Sequence, residues 1–142
     1  MNRTCRSVLS AVAAPCLALT LGACAHGADD AAERIDSALH RTYEVTYEVT
    51  GKGIDAINYN GGGGRDAMAP RLETAEQPTL PWRKTVTLRG IEAPLVTSVA
   101  TGSDGAEATC RITHEGRVMK EASGKGMAAT LSCVAVSPVA AG

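Results

Sequence analysis

A cysteine and a histidine in the C-terminal half are the residues of this sequence best suited to nucleophilic chemistry. Cys110 and His114 stand four residues apart in AEATCRITHEG, and a thiolate activated by an imidazole is a common catalytic pair. On a β-strand, side chains four positions apart are too distant to face each other readily. The sequence therefore favours a structural cysteine and an exposed turn histidine over an enzyme.

Metal binding, acid–base catalysis and phosphate binding are equally weakly indicated. One domain histidine and two cysteines do not make a tetrahedral zinc site. Glu44 and Glu48 share one face of a predicted strand, and a solvated strand face is favoured there over a carboxylate pair. The run GGGG before Arg65 lacks the Lys-Ser/Thr ending of a phosphate-binding loop. We expect no catalytic residue, no metal and no cofactor.

The N-terminal stretch has the pattern of a secretory signal peptide. Arg3 and Arg6 give it a basic start, and the apolar run that follows contains Pro15. This run is shorter than the roughly 20 residues that a membrane-spanning helix needs. The four residues LGAC ending at Cys24 resemble the bacterial lipobox, in which the cysteine receives diacylglycerol and a peptidase cuts before it. An ordinary signal peptide with an incidental cysteine is the alternative.

The lipobox sets the expected domain boundaries. We predict a lipoprotein signal peptide over residues 1–23, a lipid anchor and flexible, partly helical tether over residues 24–41, and one domain over residues 42–142. Two acyl chains on Cys24 would hold the protein at the outer, extracytoplasmic face of the cell membrane, because a single chain binds only marginally.

The cysteine count then becomes simple. Cys5 and Cys16 would leave with the signal, and Cys110 and Cys133 remain as an even pair in an oxidising compartment, which favours a disulfide. A loop of about 24 residues closed in this way contributes roughly 3 kcal/mol. That contribution matters because the sequence has no Phe, one Trp and three Tyr, so Val, Ile, Leu and Ala must build most of the core.

Charge argues against nucleic-acid binding. The chain carries 14 basic and 15 acidic residues, and no basic stripe with interleaved aromatic residues stands out.

Alternation with period two dominates the domain. In YEVTYEVT, which starts at Tyr43, the Tyr and Val side chains fall on one face and the Glu and Thr side chains on the other. Residues 61–81, rich in Gly and Pro, are predicted to be a long loop. Seven segments separated by turn signals predict an all-β antiparallel sandwich of about seven strands: YEVTYEVT, DAINYN, WRKTVTLRG, PLVTSVAT, AEATCRITHEG, VMKEAS and MAATLSCVAVS.

Two short segments are candidates for partner binding. Trp82 is favoured as a core residue, with an exposed interface anchor as the alternative. Glycine-rich backbone permits close approach to a partner, although a mobile loop is the favoured interpretation. The candidate residues are Trp82, Arg83 and Lys84 in the first segment, and Gly61, Gly62, Gly63, Gly64 and Arg65 in the second.

Three segments in order resemble the MmpS family, the small mycobacterial membrane proteins and their actinobacterial relatives. They are YEVTG with INYN after it, LPWRKTVTL, and CRITHEGRVMKEASGKGMAATLSC. The resemblance covers about residues 42–136. It implies an extracytoplasmic, immunoglobulin-like β-sandwich that works beside an MmpL transporter of the resistance-nodulation-division type in exporting lipids or siderophores. It also places Cys110 and Cys133 at the family's disulfide positions.

The family usually keeps an uncleaved transmembrane helix, whereas this sequence has a lipobox in its place. We therefore expect a lipid-anchored extracytoplasmic accessory protein that acts by binding, with an MmpL transporter and a lipid or siderophore-like cargo as candidate partners. One alternative is a stand-alone surface lipoprotein that binds a small or lipidic ligand. A secreted hydrolase or inhibitor is a second alternative, and the sequence offers no nucleophile–base pair to support it.

Overall fold

The structure, a computed structural model, describes residues 24–64, 69–101, 105–126 and 129–140. The chain divides into two compact units, residues 1–33 and 34–142. The helix α1 (Cys24–His40) includes the described part of the first unit. The second unit holds eight described strands: β1 (Thr42–Lys52), β2 (Ala56–Asn60), β3 (Leu72–Glu76), β4 (Trp82–Arg89), β5 (Leu95–Ala100), β6 (Ala106–His114), β7 (Arg117–Gly126) and β8 (Ala129–Val134).

The strands form two four-stranded sheets packed face to face. The first sheet has the order β4-β1-β6-β7 and the second has the order β3-β2-β5-β8. All the neighbouring strands are antiparallel. The predicted all-β antiparallel sandwich is confirmed.

Strand β1 explains why this sequence makes a sandwich. Its alternate residues Tyr43, Val45, Tyr47 and Val49 are buried, while the residues between them face solvent at least in part. Because successive side chains on a strand point to opposite faces, one apolar set turns inward and one polar set turns outward. Strand β1 lies between β4 and β6, so its inner residues lie at the centre of the core.

The core is built from tyrosine and branched aliphatic side chains. Tyr47, Ile57, Leu88 and Ile112 are the largest fully buried side chains. The Tyr47 and Tyr59 rings lie 6.0 Å apart at a tilted angle. Tyrosine therefore supplies the aromatic bulk that phenylalanine usually provides in a core, and its hydroxyl groups need partners within the protein.

The disulfide joins the two sheets. Cys110 lies in β6 of the first sheet and Cys133 in β8 of the second, and both are fully buried. Their Cα atoms are 6.0 Å apart, within the usual range for a disulfide. The bridge therefore crosses the core instead of linking neighbouring strands of one sheet.

Strand β3 was not predicted, because it lies within the segment assigned to a long loop. Its residues LETAE are short, flanked by Pro70 and Pro78, and mostly exposed. It pairs with β2 at the edge of the second sheet. The pairing comes from the partner strand and not from local apolar alternation, so the sequence pattern carried little signal for it.

Candidate functional site

Trp82 begins β4 and packs against the edge of the core. It pairs with the buried Val49, and its ring centroid lies 5.1 Å from that of Tyr59. The side chain is only partly buried. Trp82 therefore closes one end of the core and also presents part of its ring to solvent, which combines features of both interpretations considered for it.

Arg83 and Lys84 point to different faces of β4. Arg83 pairs with Glu48 on the solvent face, where Arg83 Nη2 lies 2.7 Å from Glu48 Oε2. Lys84 pairs with the buried Tyr47, which places it on the same side of the strand as Trp82, yet Lys84 is exposed. The three candidate residues of this segment thus divide between the two faces.

The glycine segment after β2 is held by side chains from elsewhere in the fold. Asn60 Oδ1 accepts from Gly62 N at 3.0 Å, and Glu92 Oε1 accepts from Gly64 N at 3.1 Å. Gly62 and Gly64 are buried, and Gly63 is exposed. Gly61 N donates to the Arg71 carbonyl at 2.9 Å. Arg65 lies outside the described residues.

Glu92 is the centre of this buried polar network. Its second carboxylate oxygen accepts from Arg89 N at 2.8 Å, and its main-chain carbonyl accepts from the Tyr43 hydroxyl. Burial raises the pKa of the Tyr43 hydroxyl, a shift that Ser137 partly offsets and the nearby Glu92 reinforces. The glycine segment is therefore fastened to the turn between β4 and β5.

The two candidate segments do not form one patch. Gly62 packs against the backbone of Thr87 in β4, whereas Trp82 begins the same strand. Five residues of strand correspond to about 17 Å. Any partner that contacts both segments must extend along most of β4.

A different concave surface surrounds His114, at the turn between β6 and β7. Its first part, which we call the hydroxyl groove, has a volume of about 640 Å³ and is lined by five threonines. Its second part, the apolar cleft, has a volume of about 430 Å³. Both parts are lined by His114, Glu115 and Pro138, and Arg117 also lines the apolar cleft. The threonines are Thr42, Thr46, Thr85, Thr87 and Thr113, and the apolar residues of the cleft are Val118, Met119, Ala135 and Val136.

Hydrogen bonding fixes the orientation of the His114 ring. His114 Nδ1 lies 2.7 Å from the Glu44 carbonyl oxygen. Because a carbonyl oxygen only accepts, Nδ1 must carry the proton, and in the neutral ring Nε2 is left as an acceptor. The ring also meets Tyr43 edge-on, with centroids 5.8 Å apart. His114 is thus a fixed polar group between the groove and the cleft.

The concave surface was not found from the sequence. The alternation in YEVTYEVT places Thr46 on the face opposite the Tyr and Val side chains, and that alternation is the signal that the sequence offers. Only the strand order places Thr46 beside both Thr85 and Thr113.

Two of the residues considered for catalysis have structural roles. Cys110 is half of the disulfide, and Glu48 forms an ion pair with Arg83. Across the described ranges, no three His, Cys, Asp or Glu side chains are grouped so that they could hold a metal ion.

Cys24, the predicted lipidation site, is the first residue of α1. The predicted signal peptide, residues 1–23, lies outside the described residues. Within the part of the chain that the structure describes, no helix has the length and hydropathy that a membrane crossing requires.

Comparison with known proteins identifies one family. The family model described as Mycobacterium membrane protein matches residues 7–138, which covers most of the chain and agrees with the resemblance seen in the sequence. None of the curated proteins matches the sequence.

Proposed function

The chain belongs to the Mycobacterium membrane protein family, the MmpS family, and on that basis we propose that it is a lipid-anchored extracytoplasmic accessory protein of an MmpL-type export transporter. Members of this family are non-catalytic accessory proteins associated with such transporters. The match over residues 7–138 is the observation that carries the proposal. The buried disulfide supports it, because a sandwich with its thiols oxidised suits binding outside the cytoplasm.

Anchoring is proposed to occur through Cys24. The preceding residues Leu21, Gly22 and Ala23 fit the lipobox pattern, and two acyl chains would hold the domain close to the membrane. Mass spectrometry of the N-terminal peptide from native membranes tests this step. A diacylated N-terminal Cys24 is expected, and Cys24→Ser should abolish it. Cys16→Ser is the matched control, because it removes a cysteine from the same segment without altering the lipobox.

Docking on the transporter is proposed to involve the first half of β4. Lys84 is exposed there beside the partly exposed Trp82, and an aromatic ring flanked by a cation is a common interface anchor. Crosslinking of the tagged full chain in native membranes, followed by affinity purification, should recover a large transporter linked near Lys84. Recovery should fall in Lys84→Glu and persist in Lys120→Glu, a charge reversal on β7 at the other edge of the first sheet.

A stand-alone lipoprotein that binds a small amphiphile is the second candidate function, and the concave surface around His114 favours it. If the lipidated protein is recovered without a transporter in every detergent and with every crosslinker tried, the accessory role is contradicted and this alternative is left.

A further inference from the structure

We propose that the hydroxyl groove and the apolar cleft together bind one amphiphile with an apolar chain and an uncharged head group rich in hydroxyls. The inference rests on the proposed accessory function and assigns to it a ligand class and a place on the fold. The chain would lie in the apolar cleft and the head group in the hydroxyl groove.

The two parts adjoin and differ in chemistry. They share His114, Glu115 and Pro138, so one ligand can contact both parts at once. Their volumes, about 640 and 430 Å³, each fall within the range of small-molecule pockets, roughly 300–1,000 Å³. A surface with a polar half and an apolar half matches a molecule with the same division.

Two valine side chains that line the cleft are largely exposed to solvent. Val118 is 55% exposed and Val136 is 69% exposed, and both line the cleft together with the partly buried Met119 of β7. Apolar surface that is removed from water contributes about 25 cal/mol per Å². Methionine adapts its shape to irregular apolar partners. A hydrocarbon chain would cover these side chains and leave the strand backbone unchanged.

The groove selects the charge and the hydrogen-bonding character of the head group. Threonine hydroxyls both donate and accept, and His114 Nε2 accepts in the neutral ring. Thr46 and Thr85 use one of their two protons in the hydrogen bond between them, which is 2.9 Å long. Glu44 and Glu115 also line it, whereas Arg117 lines the cleft and not the groove. An anionic head in the groove would therefore meet two carboxylates, and the cation that lines the adjoining cleft would offset them only in part. The hydroxyl groups of a neutral polyol, such as a sugar, can donate to the acceptors of the groove and accept from its threonine hydroxyls.

Photolabelling tests the proposal on the full chain held in phosphatidylcholine nanodiscs. The probe is dodecyl maltoside with a diazirine at the end of its chain, and dodecyl sulfate with the same diazirine is the anionic counterpart. Labelled residues are located by mass spectrometry. We expect labels at Val118–Met119 and Ala135–Pro138, with about tenfold more label from the maltoside than from the sulfate.

Two pairs of variants separate the apolar and polar contributions. Val136→Asp places a charge in the cleft and should lower labelling about tenfold. Val134→Asp is its control, since Val134 is 51% exposed on the same face and does not line the cleft. Thr87→Val should lower the preference for maltoside about fivefold. Thr50→Val, outside the groove, should leave that preference unchanged.

Labels spread evenly over the exposed surface, or labelling that Val136→Asp does not reduce, would overturn the proposal. Equal labelling by both probes would overturn the assignment of the head group. Because the experiment contains no transporter, its result is independent of whether a transporter is recovered from native membranes. Each variant is first compared with the unmodified chain by near-ultraviolet circular dichroism, so that unfolding is not mistaken for loss of binding.

Discussion

Gly62 and Gly63 are neighbours with the same backbone conformation and different surroundings. Their φ angles are 78° and 74°, in the left-handed region that favours glycine. A Cβ atom on Gly62 would collide with the Thr87 carbonyl oxygen in β4, while a Cβ atom on Gly63 would meet open space. Comparing substitutions at the two positions separates the cost of the left-handed conformation from the cost of a clash with β4. The comparison also tests whether the glycine segment is mobile or fixed.

We expect Gly62→Ala to lower the free energy of unfolding by about 2 kcal/mol more than Gly63→Ala. Both substitutions cost about 1 kcal/mol for the left-handed conformation, and Gly62→Ala adds overpacking against β4. Urea unfolding followed by the fluorescence of Trp82 measures the difference. Equal losses would indicate that the segment moves away from β4 at little cost.

Tyr47 predicts the response to alkaline pH. It is fully buried, and its hydroxyl donates to the Asn60 carbonyl at 3.1 Å. Burial raises its pKa above the ordinary value near 10. The stabilisation is complete below pH 10 and is lost as pH rises, because the unfolded chain releases the Tyr47 proton while the folded chain retains it.

For Tyr47 alone, the free energy of unfolding should fall by roughly 1.4 kcal/mol per pH unit above pH 10. Tyr47→Phe keeps the ring and removes the ionisable group, so its stability should depend less steeply on pH. Urea unfolding at several pH values between 9 and 11.5 compares the two proteins. Identical slopes would show that Tyr47 does not remain protonated in the folded state.

At the scale of elements, β4 is an edge strand whose inner face carries a charge. Lys84 lies on the side of the strand that holds Val86 and Leu88, yet it is exposed. Charged residues that point inward on edge strands hinder pairing with strands of other molecules. Lys84 therefore has a structural role that is independent of the proposed transporter contact.

Lys84→Val should promote self-association of the protein, because it removes the charge from the inner face of this edge strand and makes that face apolar. Sedimentation velocity over a range of concentrations measures this effect. Thr85→Val is the matched control, since it adds the same side chain at the next position on the outer face. Association of both variants to the same extent would mean that added hydrophobicity, and not the inner-face charge, is responsible.

For the whole molecule, the disulfide is a covalent cross-link that joins the two sheets in addition to the loops of the chain. The two cysteines are separated by 23 positions in the sequence, and closing such a loop restricts the unfolded chain. The remaining connections between the sheets are non-covalent packing and the loops of the chain, so the bridge contributes to the association of the sheets themselves.

Replacing both Cys110 and Cys133 with Ala should lower the free energy of unfolding by about 3 kcal/mol. Urea unfolding of the unmodified chain with and without reductant should give a similar loss, and the double variant should not respond to reductant. A response of the double variant would point to an effect of the reductant unrelated to this bridge.

The sandwich and its inner face could be predicted from the sequence because their signals are local. The alternation in YEVTYEVT assigned Tyr43, Val45, Tyr47 and Val49 to the core, and the structure buries all four. The family could be recognised for a similar reason, since its segments occur in order along the chain.

Only the tertiary structure decided the features that depend on contacts between distant residues. Strand β3 exists because β2 pairs with it, and the glycine segment is held by Glu92, 28 positions beyond Gly64. The hydroxyl groove brings together threonines of β1, β4 and β6, whose proximity follows from strand order and register. A period of two tells which face a side chain occupies, but it does not tell which strand lies beside it.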